Sequence, residues 1–563
     1  MEFSYVTEHV SDDTAIAALS SLRAASDGLA ALGTSVPAPA ISWVDQQIER
    51  LWQLRGPAPG LTAALGYIGV ESAHRVVRRL AAEPEWAKEP WDLVARALDQ
   101  NDPLGQELEP HLPASIGHTW RGLADEERTA LKILSGMDVN REQVACLLGG
   151  HSTWEVTPAD LVENPYFAAT CTYRSRHPIA LATVDQACFP AGHVQWTNLI
   201  DELIGLDDPG DARRVEALMV DVLERLAEEG DTIAGEAQLL AAASEIPLTR
   251  PCPVSRPLIE AYKLDAPNLG DYEHWTPLVG AELRGGLPAY KLIHLREASL
   301  EIADHLRERR DSRRFDVPFD PRASIDAAFG ETDAGDPEEE LARSEKAAGL
   351  GELFASRLSV LVGPAGTGKT SLLKSLVALP EIVQEGVLLL APTGKARVQM
   401  QTKIGHSAQT LASFLVKKHG FDPDTGRYCT VDGSKRDRYG LVVIDEASML
   451  TEEMLSATLS ALQGVKRLIL VGDHRQLPPI GAGRPLVDIV EWLKPDAFPN
   501  TVRVAPGYVE LTVFRRQKGE DGERDDLALA RWFGGEDLPG AADEIWQKLR
   551  LRTESDTLSY RQW

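Results

Sequence analysis

Leu358-Ser-Val-Leu-Val-Gly363-Pro364-Ala365-Gly366-Thr367-Gly368-Lys369-Thr370-Ser371 is the stretch whose reading decides the fold. The apolar run from Leu358 to Val362 predicts a buried strand. It leads directly into G-x-x-x-x-G-K-T, and residues 371–378 continue with helical spacing. Strand, glycine-rich loop and helix in that order are what a phosphate-binding loop requires. Gly363, Gly366 and Gly368 let the backbone curl until its N–H groups face phosphate oxygens, and the helix adds the positive end of its dipole. Lys369 is then placed for the β- and γ-phosphates, and the Thr370 hydroxyl for Mg²⁺. The competing reading, a chance glycine-rich turn, has to explain three elements in register. The nine residues from Gly363 to Ser371 are therefore the candidate nucleotide-binding segment.

Downstream, the chain alternates between strand and helix patterns. Residues 386–391 (Gly-Val-Leu-Leu-Leu-Ala) form an apolar run ending in Pro392-Thr393-Gly394-Lys395-Ala396. Leu441 to Ile444 is another, ending in Asp445-Glu446-Ala447-Ser448. Leu468 to Val471 is a third, ending in Gly472-Asp473-His474-Arg475-Gln476-Leu477-Pro478-Pro479. Runs that are apolar throughout, rather than alternating, predict parallel strands. Polar residues at their carboxyl ends sit where ligands bind in open α/β sheets. Asp445 is placed to anchor Mg²⁺, and Glu446 to orient or deprotonate a water beside the γ-phosphate. The plainer alternative is that Asp-Glu caps the following helix. Gln476 lies on a loop stiffened by two prolines, where its amide can sense the γ-phosphate.

Upstream, the patterns are mainly helical. Residues 1–50 carry apolar residues at helical spacing, including Ile16, Leu19 and Leu22. Leu65-Gly66-Tyr67-Ile68-Gly69 followed by Ala73 resembles a helix-hairpin-helix turn, with Tyr67 in the place of its first glycine. An ordinary corner between helices reads the same residues, and Arg75, Arg78 and Arg79 keep a DNA-phosphate role open. Thr157 to Tyr166 predicts a capped short helix stopped at Asn164-Pro165. Lys291 to Arg314 predicts a charged helix with apolar positions at Leu295, Leu300, Ile302 and Leu306. Its arginines (Arg307, Arg309, Arg310, Arg313 and Arg314) are expected on a solvated face. The acidic run from Gly330 to Glu340 is expected to be a linker.

At 563 residues the chain exceeds one ordinary domain. No apolar run approaches the ~18 residues of a membrane span, and the N-terminus has no signal-peptide pattern. The five cysteines are scattered without C-x-x-C pairing, which suggests neither a zinc site nor a disulfide framework. These features lead us to expect a soluble, cytoplasmic protein. The net charge of −27 divides into +4 over residues 351–520 and −31 elsewhere. The acidity lies outside the nucleotide-binding region, so charge neither excludes nor supports a polyanionic partner.

The Gly363 to Thr370 loop, Ala391-Pro-Thr393-Gly-Lys395-Ala, Thr410-Leu-Ala-Ser-Phe, Asp445-Glu446-Ala-Ser and Gly472-Asp-His-Arg-Gln476-Leu-Pro-Pro resemble motifs I, Ia, Ib, II and III of superfamily 1 DNA helicases of the RecD-like branch. Phe514-Arg515-Arg516-Gln517 is similar to motif IV, with Arg516 the implied γ-phosphate contact. Glu163 to Tyr166 and the helix at Leu292 to Leu306 resemble, more loosely, the amino-terminal region of longer RecD-like proteins. The resemblance implies ATP-driven 5′→3′ movement on single-stranded DNA with duplex separation. It implies ATP and Mg²⁺ as cofactors and places Thr393, Lys395 and Thr410 on the DNA backbone. Phe421 to Tyr428 reads as a β-hairpin, either the small pin of this branch or a plain surface hairpin. The family's adenine-reading glutamine corresponds here to Glu345, which can accept from the adenine amino group but cannot donate to N7. Neither His-x-x-Gln-Gly nor Thr-Arg-Ala occurs, so motifs V and VI are expected to lie on a missing continuation or on another chain that supplies the second motor domain.

The resulting expectation is an α/β protein: a mostly α-helical N-terminal region, then a P-loop RecA-like parallel-sheet domain and the start of a second one. The expected divisions are a helical region over 1–115, a helical domain with candidate DNA-binding turns over 116–260, and a helical segment with acidic linker over 261–344. A motor domain is expected over 345–505 and the start of its truncated second partner over 506–563. The expected function is an ATP-dependent, RecD-like DNA helicase acting in DNA repair, whose partner is single-stranded or forked DNA and not a membrane. The alternatives are an ATP-switched scaffold subunit of a repair or defence complex and a P-loop ATPase acting on a partner that is not nucleic acid.

Overall fold

The computed structural model describes residues 10–34, 36–149, 156–260, 277–330, 337–431, 438–473, 475–476, 478–499, 501–513, 518–519 and 522–523. They fall into two compact units, one of residues up to 226 with 233–293, the other of 227–232 with residues from 294 onward. Among the described residues no helix is long and apolar enough to cross a membrane.

The first unit is helical, as its spacing predicts, but it also holds a three-stranded antiparallel sheet. Leu278–Leu283 pairs with Leu287–Leu292, and the latter pairs on its other side with Ala234–Gly235. Only helix and linker were expected over 261–344. The turn is made by Arg284, Gly285 and Gly286, and both glycines have positive φ (96° and 75°). That is the short glycine loop which folds flanking strands into a hairpin. The corner after Leu61–Tyr67 passes Gly69 at φ 101° into the helix Ala73–Leu80. Arg79 is held within the protein, bidentate on Glu107 at 2.7 and 2.8 Å, while Arg75 and Arg78 are exposed.

The expected short helix is Pro158–Glu163, N-capped by Thr157. Beyond it, Asn164 Oδ1 accepts from the Tyr166 amide at 3.0 Å. The buried Tyr166 hydroxyl donates to Asp185 Oδ1 at 2.8 Å, and Arg214 grips the same carboxylate through Nε (2.6 Å) and Nη2 (2.9 Å). Arg214 and Asp185 are each 1% exposed, and the Arg214 guanidinium lies 4.3 Å from the Phe189 ring centroid. An ion pair this deep is stabilising only while both partners are present.

The second unit is built on a seven-stranded sheet. Its strands are β1 (Leu358–Val362), β2 (Val387–Ala391), β3 (Ala408–Thr410), β4 (Leu441–Ile444), β5 (Arg467–Gly472), β6 (Arg503–Ala505) and β7 (Tyr508–Glu510). They are ordered β6-β7-β1-β5-β4-β2-β3 and are parallel except for the β6–β7 pair. Alternate residues of each strand face opposite cores, so a strand covered on both faces must be apolar at every position. Val360, Val442 and Leu470 join one core with Ile302, Phe414 and Leu459. Leu361, Val443 and Ile469 join the other with Leu350, Leu372 and Met400.

Three expectations need correction here. Tyr508–Glu510 pairs with β1 and closes this sheet, so the expected domain boundary at 505/506 falls inside it. The acidic run is no linker where it is described: Glu338, Glu339 and Glu340 form the first turn of the helix Pro337–Ala355, where the helix dipole favours negative charge. The helix α1 (Ile293–Asp311) buries Leu295, Ile302 and Leu306 but leaves Leu300 exposed. Its arginines are only partly solvated. Arg309 donates to the Val465 carbonyl at 3.0 Å, Arg310 stacks 4.5 Å from the Trp492 ring, and just beyond the helix Arg314 is bidentate on Glu352. Two further helices precede β1: α2 (Pro321–Phe329) and α3 (Pro337–Ala355).

Asp185→Ala should destabilise the first unit by about 3–5 kcal/mol, because it leaves the Arg214 charge buried without its carboxylate. A urea titration checks this, and a loss below about 1 kcal/mol would show that the surrounding carbonyls alone satisfy Arg214.

Candidate nucleotide-binding site

The phosphate loop leaves β1 and ends where α4 (Lys369–Val377) begins. Gly363 sits at φ 148°, and a Cβ there would stand 2.4 Å from the Leu511 carbonyl oxygen. Gly368 has φ 95° and opens α4 as its N-cap. Both positions require glycine, one for close approach and one for backbone conformation. The buried Thr367 hydroxyl donates to the Pro364 carbonyl at 3.0 Å and braces the loop from inside. Lys369 Nζ donates to the carbonyls of Gly363 and Pro364. Burial pushes the Lys369 ammonium below its ordinary pKa, against the opposing pull of Asp473, Asp445 and Glu446.

In the sheet β1, β5 and β4 are neighbours, so their carboxyl ends meet. They open on a cleft of about 490 Å³ lined by Lys369, Thr370, Ser371, Asp445, Glu446, Asp473 and Gln476, among others. Asp445 Oδ1 accepts from the Glu446 amide at 3.0 Å, and burial raises the Asp445 pKa. Burial also raises that of Glu446, with Asp445 adding to the effect. Glu446 has φ 52°, a left-handed conformation uncommon for a residue with a side chain, and strain of this kind collects at functional sites. Asp445 and Glu446 therefore do not cap a helix in the simple way; Glu446 opens a single 3₁₀ turn, Ala447–Met449, without a side-chain cap.

The residues present fit a magnesium ion. A hydroxyl (Thr370) and a half-buried carboxylate (Asp445) line one cleft, and Mg²⁺ is commonly held by one or two protein oxygens plus phosphate and water. Among the described residues no cluster of three or more His, Cys, Asp or Glu forms a protein-only metal cage.

β2 and β3 continue the same edge, with Ala391 in register with Thr410. Thr393 N-caps α5 (Gly394–Ile404), its oxygen accepting from the Ala396 amide at 3.2 Å. Thr410 N-caps α6 (Leu411–Lys418) in the same way through the Ser413 amide. Lys395 is exposed in the first turn of α5. The three residues expected to touch DNA are thus gathered on two adjacent strand ends. Phe421–Asp422 and Arg427–Tyr428 do pair as a hairpin, with the Phe421 and Tyr428 ring centroids 4.8 Å apart.

Glu345 is not brought to the cleft. It is fully buried in α3, and its oxygens accept from the Thr512 hydroxyl, the Thr512 amide (3.0 Å) and the Val513 amide (3.4 Å). A carboxylate offers acceptors only, and three donors at the exit of β7 use them. Arg516 lies outside the described residues, as does the rest of Phe514 to Gln517. The cleft also contains residues to which the sequence reading gave no role: Phe329, Lys346, Lys374, Lys403 and Asp473. Asp473 had a signal, since it follows an apolar strand by the same rule that selected Asp445.

Residues 343–531 match the family model described as an AAA domain. The ATP-dependent RecD2 DNA helicase of Deinococcus radiodurans is 35% identical over 147 residues, covering 26% of this chain and 20% of that protein. The RecBCD enzyme subunit RecD of Mycolicibacterium smegmatis is 33% identical over 157 residues, covering 24% of this chain and 28% of that one. The solved structure of Bacteroides Pif1 bound to single-stranded DNA aligns at a TM-score of 0.24 and 20% identity, over 41% of this chain and 52% of that chain, too distant to carry an argument. Fold and site define a P-loop domain. Over this segment the chain is similar to RecD-like DNA helicases. It spans less than a third of the length of either relative.

Glu345→Gln should lower the melting temperature while leaving ADP affinity and the preference for ADP over GDP unchanged. The amide would set an N–H₂ against the donors of Thr512 and Val513, at a cost of about 1–3 kcal/mol. A gain in adenine preference would return Glu345 to the base-reading role.

Proposed function

We propose that this chain is the ATP- and DNA-engaging part of a RecD-like DNA helicase, binding ATP with Mg²⁺ at the β1–β5–β4 cleft and single-stranded DNA along the β2–β3 edge. The observation that carries the reading is convergence. Lys369, Thr370, Asp445, Glu446 and Gln476, far apart in sequence, line one cleft at the carboxyl ends of adjacent parallel strands.

In this reading Lys369 leaves the loop carbonyls for the β- and γ-phosphate oxygens, and the loop amides cradle the rest of the polyphosphate. Thr370 and Asp445 would hold the magnesium ion, which when bound would supply neutralisation of the phosphate charge. Glu446 stands beside the metal-anchoring Asp445 and orients or deprotonates the attacking water, while Gln476 reports the γ-phosphate to its loop. Arg516 adds a second positive contact to the γ-phosphate. The two helix N-termini capped by Thr393 and Thr410 point toward a DNA backbone, with Lys395 providing a mobile positive charge. The Phe421 to Tyr428 hairpin is the element we assign to meeting the duplex. The site of action we propose is the cytoplasm.

Lys369→Ala should abolish tight ATP–Mg²⁺ binding in calorimetry, since no other side chain replaces its charge opposite the β- and γ-phosphates. Unchanged affinity would remove the assignment. Single-strand binding should weaken with salt and vary little with sequence. Lys395→Ala should flatten the slope of log K against log salt by about 0.7, one phosphate contact on a single strand. A wild-type affinity that ignores salt would rule out a phosphate-tracking edge, and strand displacement on a forked duplex tests the helicase reading itself.

A further inference from the structure

A smaller pocket, of about 190 Å³, opens at the other end of the seven-stranded sheet. Its walls are formed by His305, Glu308 and Arg309 from α1, by Arg357, and by the turn of residues 462–465, among others. Arg357 immediately precedes β1, and its carbonyl accepts from the Leu468 amide of β5 at 2.9 Å. The turn leads from the helix Glu452–Ala461 into β5. The pocket therefore stands at the amino ends of β1 and β5, while the nucleotide cleft stands at their carboxyl ends. Among the described residues the two sites share none of their lining.

Two guanidiniums enter this space. Arg309 donates to the Val465 carbonyl at 3.0 Å, and Arg357 donates through Nε to the Arg313 carbonyl at 2.9 Å and lies 4.5 Å from the Phe315 ring centroid. Among the described residues neither makes an ion pair, and each arginine carries five N–H donors, so both keep donors to spare. Burial pushes the Arg309 guanidinium below its ordinary pKa; Glu308 opposes the shift and Arg357 adds to it. Glu308 is exposed, and His305 stands 4.0 Å from Glu301 on the same helix. Gly464 has φ 75°, a turn conformation of the kind that presents successive backbone N–H groups to anions.

Like charges gathered in a half-buried pocket repel one another unless an anion sits between them. Two guanidiniums against one exposed carboxylate leave this pocket positive. A dianion balances both arginines, whereas a carboxylate balances one, and the guanidinium fork matches phosphate oxygens two at a time. The volume suits a small ion, since pockets for drug-sized ligands begin at about 300 Å³. We propose that this pocket is a second phosphate site, holding free phosphate or the phosphate end of a small metabolite between Arg309 and Arg357. The inference goes beyond the nucleotide reading and does not depend on it. Bound there, the anion joins α1 to the starts of β1 and β5 and stabilises the second unit by mass action.

The test is calorimetry and thermal melting of the full chain with inorganic phosphate and with glycerol 3-phosphate, against chloride at matched ionic strength. The phosphate loop is itself an anion site, so the measurement is made in Lys369→Ala, with and without Arg357→Met. Arg309→Gln and Arg357→Gln, which keep a donor for the backbone carbonyls, serve where Met does not fold. The expected result is that Lys369→Ala still binds phosphate and melts higher with it, and that neutralising either arginine weakens binding at least ten-fold. Binding of glycerol 3-phosphate as well assigns the site to the phosphate end of a metabolite, and binding of inorganic phosphate alone assigns it to the free ion. Loss of phosphate binding in Lys369→Ala would overturn the inference by giving the ion to the nucleotide cleft. Full affinity in a folded arginine variant would overturn it by leaving Arg309 and Arg357 as fastenings of α1 and β1. An equal rise in melting temperature with chloride would overturn it as charge screening.

Discussion

Val362 accepts a hydrogen bond from the Leu511 amide at 3.0 Å, and the next residue, Gly363, turns so closely beneath the Leu511 carbonyl that no side chain fits. The phosphate loop can start where it does only because β7 runs parallel to β1 up to that crossing and then departs. Glu345 holds the departure by gathering Thr512 and Val513 onto one buried carboxylate. Loop geometry thus depends on residues some 150 positions downstream, brought back by a strand that sequence spacing alone would assign to another domain. A loop fixed on both sides costs little to organise when phosphate arrives, and this is the physical meaning of preorganisation at such a site.

Much of this was legible in the sequence, for a simple reason. A parallel strand covered on both faces has no freedom to be polar, so Leu358 to Val362, Val387 to Ala391, Leu441 to Ile444 and Leu468 to Val471 announce themselves. The cleft-lining residues stand in the loops that follow the strands, which made Lys369, Thr370, Asp445, Glu446 and Gln476 readable by position. What escaped had no local signature. Tyr508–Glu510 is a three-residue strand, too short for a period to show. Glu345 and Lys346 are neighbours on one helix, and only tertiary packing decides which of them turns to the cleft. The acidic run before α3 has a linker's composition, yet its charges suit a helix start, and Ala342, Leu350 and Leu353 bury the helix that follows.

The first unit shows the opposite balance between pattern and contact. Its helices were visible as spacing, but what secures them is chemical: Arg55 on Asp13 and the Gly136 carbonyl, and Arg214 on Asp185 with the Tyr166 hydroxyl. Each arginine reaches across more than 25 positions of sequence to a carboxylate that is itself buried. Such pairs contribute little net free energy compared with apolar substitutes but are costly to break singly, so they fix one arrangement of helices against near alternatives. The arginines of α1 follow the same logic in the second unit. Arg309 spends its hydrogen bond on the Val465 carbonyl and Arg310 its cation on Trp492, so a cluster that looks like solvated surface helps fasten α1 to its own unit.

Electrostatics then explains why the cleft is suited to a polyphosphate rather than to a simple anion. The carboxylates of Asp445, Glu446 and Asp473 face Lys369, while Lys374 and Lys403 also line the walls. Burial raises the Asp445 and Glu446 pKa values and lowers that of Lys369, and the opposite charges across the cleft work against these shifts. A lone monovalent anion would meet the carboxylates as well as the lysines. A polyphosphate carrying a divalent cation presents negative charge to the loop and positive charge to Asp445 at once, matching both signs across the cleft. In the function we propose, the arrangement would favour the pair, metal with phosphate, over either component alone. That preference follows from the order of strands β4, β5 and β1, which sets a carboxylate-bearing edge beside the loop.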